Sequence, residues 1–397
     1  MSIDTMTEAT ALLPRVVDLR RKIHANPELG NQLPETTEAV LADLADLDLE
    51  YRYSQETTGF VATLRGAGNG PRIMLRADMD ALPMPEDNDL PFASKTPGRM
   101  HACGHDTHTA MLAGAARLLS AHKDAINGSV DFFFQTGEEG HFGAKVAIDE
   151  GLFDAPNSPD AVFAIHISPL VPIGKVNCRP GPLLAAADVW NVEIVGKGGH
   201  ASMPHDCLDP VPVACEIVQA YNSFVTRRIS AFDPVVLTTT KIEAGTTNNV
   251  IPESAKLMGT LRSTSPKARA VARAGLERIA SGIAAAHEMQ ANFNISAGYP
   301  VTINDADFTE FAKKVATDLL GEDGYLPMPA PMMGAEDFSY FLERWPGAMM
   351  FLGVKPDDDS VAAPCHSNRM MVNEAGLTHG VALHSRIALD WLASQAG

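Results

Sequence analysis

The densest run of potential ligands in the 397-residue chain is Met100 to Asp106, where Cys103 and His105 stand two apart in a glycine-containing turn before a helical stretch. A thiolate and an imidazole at that spacing can converge on one metal ion, with the glycine supplying backbone freedom. Taken alone, the run fits a buried thiol beside a helix-capping Asp106 equally well. Glu138 and Glu139, between Gly137 and Gly140, follow the apolar run Phe132 to Gln135. Adjacent carboxylates are usually a solvated face. After a buried strand and flanked by glycine they instead suggest a concave site, in which one acid binds metal and its neighbour exchanges protons with water. His166 interrupts an apolar run and His366 lies in a Pro-Cys-His-Ser loop, and each is ambiguous by itself. Cys103, His105, Glu139, His166 and His366 together are a set much less expected by chance than any one of them.

Elements of two kinds must position these residues. In the first part of the chain, extended runs such as residues 71–78, 129–135 and 160–168 alternate with helical stretches such as 105–122 and 143–153. That alternation predicts an α/β layer on a mostly parallel sheet with helices on both faces. Asp78 and Asp80 follow one strand, Glu138 and Glu139 the next, and His166 is near the end of a third. Ligands of open α/β sheets bind outside the carboxyl ends of the strands. From about residue 188 the rhythm becomes β-α-β-β-α-β over about 110 residues, the ferredoxin-like order. The expected organisation is a catalytic domain over 1–186 and 300–397, the loop at 331–341 included, with an α+β domain inserted at 187–299.

Composition narrows the classes. Hydrophobic residues make up 45% and charged residues 20%, a globular profile rather than a disordered one. With 31 Lys+Arg against 49 Asp+Glu the net charge is −18, which disfavours nucleic acid and anionic lipid as partners. The first ten residues lack a basic, apolar leader, and no run approaches the roughly 20 apolar residues of a membrane span, so a cytoplasmic protein is expected. Five cysteines without a Cys-x-x-Cys pair point to reduced thiols.

The segments at residues 75–86, 100–116, 135–140, around His166, 196–210, 246–263, 332–341 and around His366 occur in the order seen in the M20 amidohydrolases, and the chain resembles the branch holding hippurate hydrolases, aminoacylases and auxin-amino-acid conjugate hydrolases. The resemblance implies a site for two divalent metals (Zn, Mn or Co) held by Cys103, His105, Glu139, His166 and His366, with Glu138 as general base. It implies that the inserted domain is a lid that mediates homodimerisation, with His200 as an oxyanion stabiliser reaching across the dimer. Arg262 and Asn249 are candidate substrate contacts, the guanidinium being suited to a carboxylate. Asp80 is a candidate partner of a metal-ligating histidine or a cap for the next turn. Where the family usually has a Pro-Ala-Glu-Glu-like run this chain has Thr136-Gly137-Glu138-Glu139, followed by His141 and Phe142.

The activity so implied is metal-dependent hydrolysis of N-acyl-L-amino acids. Three other readings compete: a di- or aminopeptidase of the same superfamily, a thiol hydrolase with Cys103 as nucleophile, and a non-catalytic dimeric binding protein. Chelator sensitivity separates the thiol hydrolase from the metal-dependent readings.

Overall fold

The computed structural model describes residues 3–395. The chain divides into two compact units. One holds the chain up to Gly181, Ile303–Pro329, and the chain from Tyr340 onward; the other holds Pro182–Thr302 and Ala330–Ser339. The strands are β1 (Glu50–Tyr53), β2 (Phe60–Arg65), β3 (Gly68–Asp78), β4 (Asn127–Gln135), β5 (Ala161–Ser168), β6 (Val176–Cys178), β7 (Gly181–Leu184) and β8 (Ala186–Val195). They continue as β9 (Gly199–His200), β10 (Val235–Ala244), β11 (Val250–Ile251), β12 (Ser254–Ser263), β13 (Gln290–Ala297), β14 (Thr302–Asn304), β15 (Tyr325–Pro327) and β16 (Gly347–Gly353). The helices are α1 (Thr5–His24), α2 (Pro34–Leu44), α3 (His105–Ala121), α4 (Gly143–Asp149), α5 (Pro210–Arg228), α6 (Pro266–Ala286), α7 (Ala306–Leu320), α8 (Ser339–Leu342) and α9 (Leu377–Ser394).

The first unit is a mixed α/β layer on an eight-stranded sheet, in the order β1-β2-β4-β3-β5-β16-β6-β15. Its centre, β4-β3-β5-β16, is parallel throughout, and antiparallel pairing is confined to β1/β2, β2/β4 and β16/β6. The central strands are nearly continuous apolar runs because both faces are covered. Alternate residues such as Phe132, Phe134, Phe163 and Ile165 enter one core with α1, α2, α3, α7 and α9. Phe133 points the other way, into an aromatic cluster with Phe153 (centroids 5.0 Å apart) and Phe341 (5.6 Å). α3 is buried almost all round, as a helix between sheet and helices must be. Register aligns Asp78 with Gln135 and His166 with Phe351, so the carboxyl ends of β3, β4 and β5 share one edge.

The second unit is antiparallel, in the order β10-β12-β8-β13. With α5 between β8 and β10 and α6 between β12 and β13, this is the ferredoxin-like arrangement. Burial along β8 alternates, with Asp188, Trp190, Val192 and Ile194 inward. Trp190 packs edge-on against Tyr221 of α5, in a core of its own with α6. Residues 330–339 lie with this unit rather than with the carboxyl-terminal return expected for them. The reason is a local ladder: Ala185 N–H donates to the carbonyls of Met332 and Gly334, and Met332 N–H donates to Leu183. No helix among the described residues is long and apolar enough to cross a membrane.

Candidate active site

Asp80, fully buried just beyond β3, organises the first unit's site. Its carboxylate accepts the backbone N–H of Glu138 at 2.9 Å and of Glu139 at 3.0 Å, fastening the turn after β4 to the end of β3. Its main-chain carbonyl accepts Nδ1–H of His105 at 2.8 Å. A carbonyl only accepts, so Nδ1 carries a proton and Nε2 is the nitrogen left to take either a second proton or a metal. That Nε2 is buried with no hydrogen-bond partner. His166 follows the same rule: Nδ1–H donates to the Ile167 carbonyl at 2.7 Å, and Nε2 lies 3.3 Å from Cys103 Sγ. An imidazole held through Nδ1–H with Nε2 turned toward other potential ligands is how metal-ligating histidines are oriented.

Donor atoms of Cys103, His105 and His166 lie within 4.8 Å of one another, and so do those of Cys103, Glu139 and His366. Cys103 belongs to both triads. Glu138 groups with His105 and Glu139 and is itself buried. His366 Nε2 is 3.3 Å from Glu139 Oε1. Its backbone is left-handed, φ 67°, an unusual conformation for a histidine, and its N–H donates to the Ala102 carbonyl at 2.7 Å. Gly104, φ 87°, opens α3 where a Cβ would come within 2.5 Å of the Ile167 side chain. Gly137, φ 67°, is equally required: a Cβ there would meet Asn31 Oδ1 at 1.9 Å, which gives a local reason for one departure from the family's usual run.

The surroundings favour a cation. Burial by itself would push His105 down, but Asp78, Asp80 and Glu139 outweigh it and hold its pKa well above the ordinary value. Carboxylates that stabilise a proton on Nε2 also stabilise a metal in its place. The Cys103 thiol is pushed well up by its contact with Cys365, by burial and by the two glutamates. A dication beside it reverses that balance and deprotonates it. The orphaned Nε2, the thiol and the carboxylates thus fit a dinuclear cation site.

Two further residues support the site: His108, which the sequence leaves with His24, His101 and His205 as structural or supporting histidines, and Asp106, expected only as a helix cap. His108, one turn beyond His105 on α3, donates Nδ1–H to Asp78 at 2.6 Å and accepts the Ile167 N–H on Nε2 at 2.9 Å. It links the end of β3 to the N–H of Ile167, the residue whose carbonyl orients His166, and burial pushes its pKa down to about 4. Spacing alone carries the signal, since residues three apart share a helix face. Asp106 accepts from Arg20 at 2.7 Å and His24 at 2.8 Å, anchoring the start of α3 to α1.

In the second unit, His200 of β9 pairs with Val250 of β11, and Ala201 N–H donates to the Asn249 carbonyl at 3.1 Å, so His200 and Asn249 share one two-stranded ribbon. Arg262 lies on β12, half-buried, opposite Val236 and Ala187.

Residues 74–390 match the model of peptidase family M20/M25/M40. The chain belongs to that family. It is 40% identical over 385 residues to IAA-amino acid hydrolase ILR1-like 2 of Arabidopsis thaliana, covering 96% of this chain and 86% of the relative. It is 38% identical over 347 residues to the N-acetylcysteine deacetylase of Bacillus subtilis, covering 87% and 90%. Among solved structures, a dinuclear metal-binding peptidase of the M20 family from Bacillus subtilis superposes with a TM-score of 0.83 at 33% identity, covering 97% and 99%. An aminohydrolase-like protein from methicillin-resistant Staphylococcus aureus gives a TM-score of 0.92 at 29% identity, covering 98% of each chain. As a member of this M20 group the protein is a metal-dependent amidohydrolase.

Proposed function

We propose that the protein hydrolyses the amide bond of N-acyl-L-amino acids, releasing a carboxylic acid and a free amino acid. The observation that carries this reading is the double membership of Cys103, whose Sγ stands in one triad with His105 and His166 and in another with Glu139 and His366, beside a buried Glu138. Cys103, His105, Glu139, His166 and His366 would hold two divalent metals, with Cys103 standing in both triads. The thiol and imidazoles suit Zn, while the carboxylate is compatible with Mn or Co. Bound metals supply Lewis-acid polarisation of the scissile carbonyl and acidify the attacking water. Glu138 takes that water's proton during attack and passes it to the departing nitrogen, which is otherwise too basic to leave. Asp80 holds both glutamates by their backbone, so base and ligand keep fixed relative positions. His200 donates to the developing oxyanion, with Asn249 beside it, and Arg262 grips the α-carboxylate with two parallel hydrogen bonds.

The second unit would also pair two copies of the chain, with His200 serving the partner's site. Support comes from β10, an edge strand with Val236 and Ile242 exposed, since an open edge carries unpaired backbone groups ready to take a second strand.

The substrate class is tested by comparing an N-acyl amino acid with its α-amide and with dipeptides. Loss of the carboxylate is expected to lower kcat/KM by about 10–100-fold, the scale of a charged hydrogen-bonded contact. Equal kcat/KM for acid and amide removes the Arg262 clamp. Faster turnover of dipeptides than of every N-acyl amino acid replaces the reading with a peptidase.

A further inference from the structure

We infer that Ser202 is a positioning residue that fixes His200 as its Nε2–H tautomer. The inference rests on the reading of His200 as an oxyanion donor. The backbone N–H of Ser202 lies 3.1 Å from His200 Nδ1, and the Ser202 hydroxyl lies 2.8 Å from the same atom. A backbone N–H can only donate, so Nδ1 presents a lone pair, and the hydroxyl, free to rotate, donates to it as well. A neutral imidazole with a lone pair on Nδ1 carries its proton on Nε2.

The geometry is built into the turn. Met203 N–H closes on the His200 carbonyl at 2.8 Å, and Ala201 N–H is tied to Asn249 across the ribbon, which sets Ser202 against the ring that precedes it by two residues. Gly199 lets the ribbon pass Cys207, whose Sγ would come within 2.5 Å of a Cβ at that position.

The tautomer decides what the ring can do. With Nε2–H it offers a hydrogen-bond donor where negative charge develops; with Nδ1–H it would offer a lone pair and repel that charge. The contrast with the first unit is direct: carbonyl partners on Nδ1 of His105 and His166 leave Nε2 as the nitrogen open to a metal, whereas an N–H partner on Nδ1 of His200 leaves an Nε2 proton. The groups facing Nδ1 thereby distinguish His105 and His166 from His200.

The test uses the full-length, metal-loaded protein labelled with 15N-histidine, read by two-bond proton–nitrogen correlation at about pH 8, where an ordinary imidazole is neutral. His200 is assigned by the signals that vanish in His200→Ala. A pyridine-type Nδ1 and a pyrrole-type Nε2 are expected. Ser202→Ala removes the hydroxyl, the closer of the two donors to Nδ1, and keeps the backbone N–H. It should raise the Nδ1–H fraction and lower kcat on an N-acetyl amino acid by about 2- to 10-fold at unchanged KM, the worth of one net hydrogen bond, and Ser202→Thr should restore both. A pyrrole-type Nδ1 in the wild type overturns the lock, and so do an unchanged tautomer ratio and kcat in Ser202→Ala. The two layers separate through His200→Ala: lost turnover together with a wild-type Nδ1–H ring refutes the lock and spares the oxyanion role. Undiminished turnover in that variant refutes the oxyanion role and, with it, the purpose assigned to Ser202.

Discussion

Glu138→Gln is expected to lower kcat by about 10²- to 10⁴-fold, the range over which a positioned general acid–base contributes, while leaving metal content at the wild-type level. The amide is nearly isosteric but cannot take the attacking water's proton. Glu138 is buried, and its backbone N–H is fixed by Asp80, so the substitution leaves the turn and its hydrogen bond in place. Glu139→Gln should behave differently, because its carboxylate stands within 4.8 Å of both Cys103 Sγ and a His366 nitrogen. That variant should lose metal as well as rate. Elemental analysis beside steady-state kinetics separates the two. A Glu138→Gln enzyme with near-wild-type kcat would remove the proposed base.

Cys103→Ala should deplete both metals, whereas His366→Ala should deplete one. The asymmetry follows from the shared Sγ: removing it breaks both triads, while removing His366 leaves Cys103, His105 and His166 intact. The affinity loss in Cys103→Ala should exceed the roughly 10- to 100-fold typical of losing an outer partner of a ligand. Metal stoichiometry after dialysis and titration calorimetry read it directly. If Cys103→Ala retains two metals, the thiol is not shared and the ligand assignment fails.

The elements that place the site were readable because strands and helices announce themselves by local periodicity and punctuation. The run ending at Gln135 and the glycines around Glu138 and Glu139 needed no tertiary knowledge to suggest a strand followed by a functional turn. The β-α-β-β-α-β order from β8 to β13 was legible for the same reason, since alternation along β8 and the long apolar faces of α5 and α6 are properties of short windows. What escaped was set by contacts between distant segments. Asp80 acts through its carboxylate on two backbone amides 58 and 59 residues away and through its carbonyl on His105. The sequence offered Asp80 as a partner of a metal-ligating histidine or as a turn cap, but nothing in it pointed to the two glutamate amides that Asp80 also holds. His108 serves its two partners from a position indistinguishable, in sequence, from a core histidine. The loop at 330–339 went astray because its ladder to residues 183–185 joins segments separated by nearly 150 positions. The requirement for Gly137 depends on Asn31, more than a hundred residues earlier, and is visible only once the two meet.

The most direct measurement of the central claim is hydrolysis of N-acyl-L-amino acids by chelator-treated protein during back-titration with Zn, Mn or Co. Activity should be negligible at the start, rise with added metal, and level off near about two equivalents per chain, as a two-metal site requires. Chelated protein that hydrolyses these substrates at the full rate, or that remains inactive towards all of them with both metals bound, would contradict the assignment.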